Sequence, residues 1–398
     1  PAGVDEQARY AQALCREIET ESRCYSDYEV ESVYLGGGTP SLFPGEWIER
    51  IMDVLRRHYR LSAACEISME ANPGTLTWDK LKAIKAGGVN RLSIGLQSAN
   101  DRELSALGRI HTWKDFLHSY ELAAQAGFGN LNVDLMSGIP GQTLGSWEES
   151  LNRVRLLSPH PKHISAYSLI IEEGTPFFEN RPELPEEDTE REMYKITRDI
   201  LSDCGYGRYE ISNYALPGYE CRHNISYWRR KNYLGFGIGA ASLIENVRFR
   251  NSSDRQAYEA FYLDGFQKIG GFGTKPVWDS VKEEKQLLSI EEQMEEFLFL
   301  GLRLSQGVNV GEFFRCFGRR IDEVYPGIVD DFCQKGLLQR RKSGKSLGTP
   351  EGGSARGIAP AFVFDGQEGD REAEEEWISL TDYGVDISNY VMAEFLLS

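Results

Sequence analysis

The stretch that decides the fold is Val33-Tyr34-Leu35-Gly36-Gly37-Gly38-Thr39-Pro40. An apolar, β-branched run leads directly into three glycines and a Thr-Pro pair. Because glycine has no Cβ, its backbone can approach a ligand closely. We therefore interpret the segment as a strand whose C-terminal end offers bare backbone amides to a polar small molecule. The alternative is a plain tight turn, which is the commoner meaning of a single glycine-rich loop.

Three further strand-like runs, at residues 65–69, 91–96 and 131–133, each end in a polar residue, namely Glu70, Gln97 and Asp134. Apolar residues at helical spacing accompany these runs. Alternating strands and helices predict a parallel sheet, in which right-handed crossovers bring every strand end to one edge. The three polar residues should therefore converge on the glycine loop and form a binding face, as at the C-terminal rim of a (β/α) barrel.

Five segments carry a resemblance to a known family: GGGTP at 36–40, MEANPGTLT at 69–77, RLSIGLQSANDREL at 91–104, LGRIHT at 107–112 and VDLMSGIPGQT at 133–143. Taken in order, they resemble the oxygen-independent coproporphyrinogen-III oxidase-like family of radical S-adenosylmethionine (SAM) proteins. The resemblance runs from about the first strand to the C-terminus and is interrupted near residues 341–376. It implies an α/β fold, an incomplete (β/α) barrel of the radical SAM type that binds SAM over a 4Fe–4S cluster.

The resemblance also implies two SAM sites. Gly37 and Glu70 match residues that hold the first SAM. The positions that match residues around a second SAM, described for the oxidase branch, are Gly38, Thr39, Gln97, Arg109 and Asp134. The residue types suit this chemistry, because a carboxylate can accept both ribose hydroxyls and a guanidinium can grip the methionine carboxylate. The alternatives are that Arg109 pairs with a neighbouring acid and that Asp134 caps a turn.

The cysteines do not fit the family's cluster motif. Radical SAM proteins hold three irons through a Cys-x-x-x-Cys-x-x-Cys run, and no such spacing occurs among the seven cysteines of this chain, Cys15, Cys24, Cys65, Cys204, Cys221, Cys316 and Cys333. In the family this run precedes the helix that we predict at about residues 7–20. We expect an N-terminal truncation that removes the first strand and the cluster loop, and the alternative is a degenerate member without a cluster. We therefore assign no 4Fe–4S ligand and no catalytic residue in this chain. Without the first strand, the strand containing Tyr34 should have an unpaired edge.

A second motif, HNISYW at residues 223–228, lies in the second half of the chain. A lone histidine near aromatic residues is more often a hydrogen-bonded structural residue than a metal ligand. However, the motif resembles the His-Asn-x-x-Tyr-Trp sequence that marks the haem-chaperone branch of the family. The resemblance implies haem contacts by His223, Asn224, Tyr227 and Trp228, with His223 as the axial ligand of the haem iron and Cys221 as a weaker candidate. An imidazole can ligate haem iron, and flanking Tyr and Trp rings can cover the porphyrin face.

The domain organisation follows from changes in composition along the chain. We predict the radical SAM partial barrel over residues 1–215 and a haem-motif and barrel-extension segment over 216–285. Residues 286–398 should form a small, helical, winged-helix-like domain that ends in a terminal helix. A Gly-, Ser- and acid-rich stretch at about 341–376 interrupts this domain, and we interpret it as a flexible insertion in the wing.

Composition limits the functional classes. The chain has 398 residues and a formal net charge of -17, which argues against nucleic-acid binding because that function favours a basic face. No apolar run reaches the roughly 18 to 20 residues of a membrane span, and no signal peptide is visible. Transient contact with membrane-bound proteins that receive haem stays open. Seven cysteines without framework spacing predict reduced thiols and a cytoplasmic location.

The resemblance implies a haem chaperone that binds haem and delivers it to client haemoproteins, with SAM and a 4Fe–4S cluster in the intact protein. The first alternative is an oxygen-independent coproporphyrinogen-III oxidase, which uses a radical to begin oxidative decarboxylation of propionate side chains. The second is a cluster-free scaffold. HNISYW favours the first function, and whether the chain is an enzyme stays open because it lacks the cluster cysteines.

Overall fold

The structure is a computed structural model that describes residues 3–265, 281–342 and 376–397. Its main body is a seven-stranded sheet with the strand order β1-β2-β3-β4-β5-β7-β6. Strands β1 to β5 are parallel to one another, and β7 pairs antiparallel with both β5 and β6. The seven strands are β1 Glu29–Leu35, β2 Arg60–Ala71, β3 Arg91–Gln97, β4 Asn130–Ser137, β5 His163–Ser168, β6 Gly207–Arg208 and β7 Asn213–Ala215. An incomplete (β/α) barrel is therefore confirmed.

Helices connect the strands and cover the outer face of the sheet. They are α1 Val4–Tyr25, α2 Gly45–His58, α3 Trp78–Ala86, α4 Asp101–Ala106, α5 Trp113–Gln125, α6 Leu144–Arg155, α7 Pro176–Glu179 and α8 Glu187–Asp203. Threonine caps begin four of them: the side chains of Thr77, Thr112, Thr143 and Thr175 accept hydrogen bonds from backbone amides in the first turn. Fully buried residues of the strands, such as Leu92, Ile94 and Val133, belong to the core formed with these helices.

The segment after the main sheet supplies a short helix and a small antiparallel sheet. The helix is α9, Arg222–Trp228, and it contains the HNISYW motif. The sheet has the order β10-β9-β8, with β8 Ala241–Ile244, β9 Val247–Asn251 and β10 Lys282–Leu287. Helix α10, Arg255–Glu259, follows β9 and continues into a π-helical turn at Ala260–Gly265.

The C-terminal domain has its own core around Met294, Leu298, Phe313 and Phe332. Its helices are α11 Ile290–Gly301, α12 Val310–Phe317, α13 Ile321–Val324, α14 Ile328–Gln334, α15 Asp382–Asp386 and α16 Ser388–Ala393. Its strands are β11 Val308–Asn309, β12 Leu338–Lys342 and β13 Glu376–Leu380, in the order β11-β13-β12. The predicted terminal helix is two short helices, because Ile387 leaves the helical conformation between them.

The expected insertion at about 341–376 falls almost entirely outside the described residues. The strands on either side of it, β12 and β13, pair with each other in antiparallel register. In the main sheet, β1 is an edge strand that pairs with β2 alone among the strands of the order above. Within the described ranges, no helix is long and apolar enough to cross a membrane.

Candidate functional site

The glycine loop that follows β1 is built for close approach. At Gly36 a Cβ would collide with the ring of Tyr34 and would lie 3.0 Å from Oε1 of Glu70, so only glycine fits. Gly37 and Gly38 adopt positive φ angles of 76° and 54°, which L side chains rarely adopt. A Cβ at either of these two positions would meet no atom within 4 Å. The loop therefore combines a tight backbone with open space beside it.

Glu70 lies next to this loop, near the C-terminal end of β2. The Tyr34 hydroxyl donates a hydrogen bond to Oε1 of Glu70 at 2.8 Å. Burial raises the pKa of Glu70, and the charge of Asp134 raises it further, whereas hydrogen bonds from Tyr34 and from the Gly37 backbone lower it. The carboxylate is thus held at the loop, in the place where the sequence predicted a SAM contact.

Asp134 lies in the middle of β4 rather than at its end, because the strand continues to Ser137. Its carboxylate accepts hydrogen bonds from Ser93 Oγ at 3.0 Å and from Asn132 Nδ2 at 2.7 Å. Burial raises its pKa, and hydrogen bonds from Ser165, Ser93 and Asn132 lower it. The alternative interpretation, that Asp134 caps a turn, is wrong.

The remaining predicted SAM residues surround the same strand ends. Gln97, the last residue of β3, is buried and has a φ of 71°, and its Oε1 accepts a hydrogen bond from Tyr167 at 2.8 Å. Thr39 Oγ1 accepts a bond from Asn72 Nδ2 at 3.3 Å. Arg109 makes no ion pair or hydrogen bond through its guanidinium with any residue that the structure describes. The positive φ of a buried, non-glycine residue such as Gln97 is unfavourable and is found more often at functional sites than elsewhere.

A chain of buried polar side chains continues from Asp134 into the barrel, and the sequence did not predict it. Asn132 bonds to Asp134 with its amide nitrogen, and its Oδ1 lies 2.5 Å from Nδ1 of His163. Nε2 of His163 lies 2.7 Å from the hydroxyl of Tyr209. Burial lowers the pKa of His163 well below its ordinary value, so the ring is neutral. The signal was present as polar residues at alternate positions of β4 and β5, which place one polar face inside the barrel.

Glu66 joins this interior to the helix that carries HNISYW. It is buried on β2, and its carboxylate accepts hydrogen bonds from the backbone amides of Arg222 and His223, at 3.0 and 3.2 Å. The Cys221 thiol donates to it at 3.4 Å. A carboxylate at the first turn of a helix satisfies the free amides there. Burial raises the pKa of Cys221 to about 11, so its thiol is protonated at neutral pH when no metal is bound.

His223 has an environment that suits a neutral ligand. Its Nδ1 lies 3.0 Å from Ser32 Oγ, its ring stacks on Tyr34, and Tyr227 meets it edge-on at 4.9 Å. Burial lowers the pKa of His223 to about 4, so the imidazole is uncharged at neutral pH. In the described part of the chain, Nε2 of His223 has no hydrogen-bond partner. A bond at one ring nitrogen that fixes the other is the usual arrangement around a metal-binding histidine.

The other three predicted haem residues, Asn224, Tyr227 and Trp228, line a cavity of about 420 Å³. His223 does not line it and lies one helical turn away, against Tyr227. The Arg303 guanidinium lies 4.4 Å from the centre of the Trp228 ring. The motif therefore has two sides: its histidine contacts the first strand of the barrel, and its other predicted residues face a cavity beside the C-terminal domain.

The residues that the structure describes do not form a cluster site. Among the described residues, no group of three or more His, Cys, Asp or Glu side chains could hold a metal ion. All seven cysteines are free thiols.

Comparison with known proteins agrees with this geometry. Residues 9–154 match the radical SAM superfamily, and residues 288–353 match the HemN C-terminal domain. The chain is 37% identical over 345 residues to the heme chaperone HemW of Bacillus subtilis, an alignment that covers 85% of this chain and 86% of that one. The chain belongs to the HemW family. The HemW protein of Escherichia coli is 40% identical over 232 residues, which are 58% of this chain and 61% of its relative.

A solved structure confirms the fold of this HemW-family chain. The chain superposes on the coproporphyrinogen III oxidase HemN of Escherichia coli with a TM-score of 0.76 and 19% identity. The superposition covers 100% of this chain and 85% of HemN. A barrel followed by a C-terminal domain is thereby confirmed. The family matches and the HemW relatives confirm the resemblance stated from the motifs. Membership of the radical SAM superfamily implies SAM and a 4Fe–4S cluster as the cofactors of the family.

Proposed function

We propose that the protein is a haem chaperone, which binds haem at the HNISYW helix and delivers it to client haemoproteins. The observation that carries the proposal is the state of His223: a neutral imidazole, oriented through Nδ1 by Ser32, with Nε2 without a partner in the described part of the chain. Neutral imidazole is a common axial ligand of haem iron. The relatives named as heme chaperones favour this function over oxidative decarboxylation. A cytoplasmic location belongs to the same proposal.

We further propose that SAM binds at the strand ends. Gly37 and Glu70 would hold a first SAM. The residues around a second SAM would be Gly38, Thr39, Gln97, Arg109 and Asp134. The backbone amides of the glycine loop, the two partly buried carboxylates and the unpaired guanidinium of Arg109 match the amine, ribose hydroxyl and carboxylate groups of this ligand.

Haem transfer tests the proposed function. Wild-type protein loaded with haem is mixed with an apo-haemoprotein acceptor, and the shift of the Soret band reports transfer. We expect saturable haem binding and transfer by wild type and by His118→Ala, since His118 is exposed. His223→Ala should bind haem weakly and with an altered Soret band. Absence of saturable binding to wild type would contradict the proposal.

A measurement on the same variant separates ligation from a structural role. If His223 serves only packing, His223→Ala should lower the free energy of unfolding of the apo protein by about 1 to 3 kcal/mol and leave the haem spectrum unchanged. If it ligates iron, the haem spectrum must change whatever happens to stability.

A further inference from the structure

The cavity beside α9 has one aromatic and apolar wall and one cationic edge. Tyr227, Trp228 and Tyr233 form the aromatic part, with Leu243 and Leu300 beside them. The cationic edge consists of Arg230 and Arg248, which come from the turn after α9 and from β9. At about 420 Å³ the cavity has the size of a small-molecule pocket, roughly 300 to 1,000 Å³.

The two arginines share a single carboxylate. Nε of Arg230 lies 2.7 Å from Oε2 of Glu296, and Nη2 of Arg248 lies 2.7 Å from Oε1 of the same residue. The carboxylate of Glu296 carries one negative charge and the two arginines carry two positive charges. The three side chains together therefore have a net charge of +1. In a chain whose formal net charge is -17, a local cationic edge inside a cavity is a place where an anion is favoured.

Arg230 shows two signs of a group held for a ligand. Its side chain is only 13% exposed, and its Nη2 has no hydrogen-bond partner among the described residues. A buried guanidinium N–H without a partner is destabilising. Its φ of 52° places a non-glycine residue in the left-handed region, which is also unfavourable. Its Nε and Nη1 are held by Glu296 and Asn246, and the residue lines the cavity, so Nη2 is the one part of the guanidinium left for a ligand.

We propose that this cavity is the propionate-binding part of the haem site, with Arg230 and Arg248 receiving the two carboxylates of the porphyrin. The inference rests on the proposed haem function and deepens it. The aromatic wall suits a flat apolar macrocycle, and guanidinium groups bind carboxylates through charged hydrogen bonds. The bound carboxylate would satisfy the free Nη2 of Arg230. The cavity thus recognises an amphipathic, planar dianion.

Esterified haem tests the assignment. Haem and haem dimethyl ester, whose propionates are uncharged, are titrated into wild type, Arg230→Gln, Arg248→Gln and the control Arg229→Gln. Arg229 is exposed and bonds to Gln306 instead of lining the cavity. We expect wild type to bind the ester about 10-fold more weakly than haem. Each cavity variant should bind haem about 3- to 10-fold more weakly than wild type does.

The two cavity variants should bind the ester as well as wild type does, which also shows that they are folded. Arg229→Gln should match wild type with both ligands. Equal affinity of wild type for haem and its ester, with a Soret band that still depends on His223, would overturn the propionate assignment and leave the haem function standing. Loss of ester binding in both arginine variants would overturn it as well. Absence of any saturable haem binding to wild type would overturn both proposals.

Discussion

The ring of His223 lies nearly parallel to the ring of Tyr34, at 14° and with ring centres 4.8 Å apart. The hydroxyl of the same tyrosine donates a hydrogen bond to Glu70. One side chain on β1 therefore contacts both the proposed haem ligand and a proposed SAM residue. The two sites share a wall, and a change in Tyr34 should affect each of them in a different way.

Replacing Tyr34 by Phe keeps the stacked ring and removes the hydroxyl. Glu70 then loses a donor that holds its carboxylate in place and lowers its pKa. We expect SAM affinity to fall by about 1 to 2 kcal/mol, measured by calorimetry, whereas the haem spectrum should stay as in wild type. Tyr383→Phe at an exposed position is the matched control. Unchanged SAM affinity in a folded Tyr34→Phe protein would show that this hydrogen bond does not support the pocket.

The carboxylates of Glu70 and Asp134 should matter more directly. Glu70→Ala and Asp134→Ala should each weaken SAM binding by roughly 1.5 to 3 kcal/mol, since each removes hydrogen bonds made by a charged group. Calorimetry provides the affinities, and Glu121→Ala on the exposed face of α5 is the control. If both variants fold and bind SAM like wild type, these two residues do not contact it.

Glu66→Gln should loosen the helix that carries HNISYW. The amide nitrogen of Gln would face backbone donors that now point at the carboxylate, and Arg91, 2% exposed, would lose a nearby negative charge. We expect the free energy of unfolding to fall by about 2 to 4 kcal/mol and haem affinity to fall with it. Urea denaturation measures the first quantity. Glu31→Gln on the exposed side of β1 should have little effect, and a Glu66→Gln protein as stable as wild type would refute the capping role.

Glu17 predicts a pH dependence of stability. It is fully buried on α1, with hydrogen bonds from Tyr258, Asn251 and Gly237, and burial raises its pKa to about 7 from 4.5. Between these two values the folded chain holds a proton that the unfolded chain releases. Glu17 therefore adds to the free energy of unfolding below about pH 4.5. This stabilisation, at most about 3 kcal/mol, is lost as the pH rises to 7.

Glu17→Gln cannot ionise and should remove this part of the pH dependence. Urea denaturation at several pH values from 5 to 8, with wild type and variant compared at each, isolates the contribution of this one residue. The free energy of unfolding of wild type should fall relative to that of Glu17→Gln as the pH rises. A constant difference across the range would show that Glu17 has an ordinary pKa in the folded protein.

The sequence predicted the positions of those candidate site residues that lie near strand ends. Glu70, Gln97 and the glycine loop could be found because polar residues interrupt apolar runs, and parallel connections bring such ends together. The chain of Asn132, His163 and Tyr209 could not be found in this way. Its contacts depend on the register between β4 and β5 and on the return of residues 207–215 to the sheet, which no local pattern specifies.

The HNISYW motif could be recognised, but its orientation could not be predicted. The contact between His223 and Ser32 joins residues that are 191 positions apart, and the cap from Glu66 is similarly distant in sequence. Arg230 and Arg248 were overlooked because arginines in an acidic chain resemble ordinary surface residues. The domain boundaries near residues 215 and 285 stay predictions.

Chemical rescue tests the central claim, that His223 of the HNISYW helix is the axial ligand of haem iron. His223→Gly removes the imidazole and leaves space beside Tyr34 and Tyr227. The account predicts that this variant, loaded with haem, loses the Soret and electron paramagnetic resonance features of the wild-type complex and regains them when free imidazole is added. A His223→Gly complex whose spectra match those of wild type without imidazole would contradict the claim.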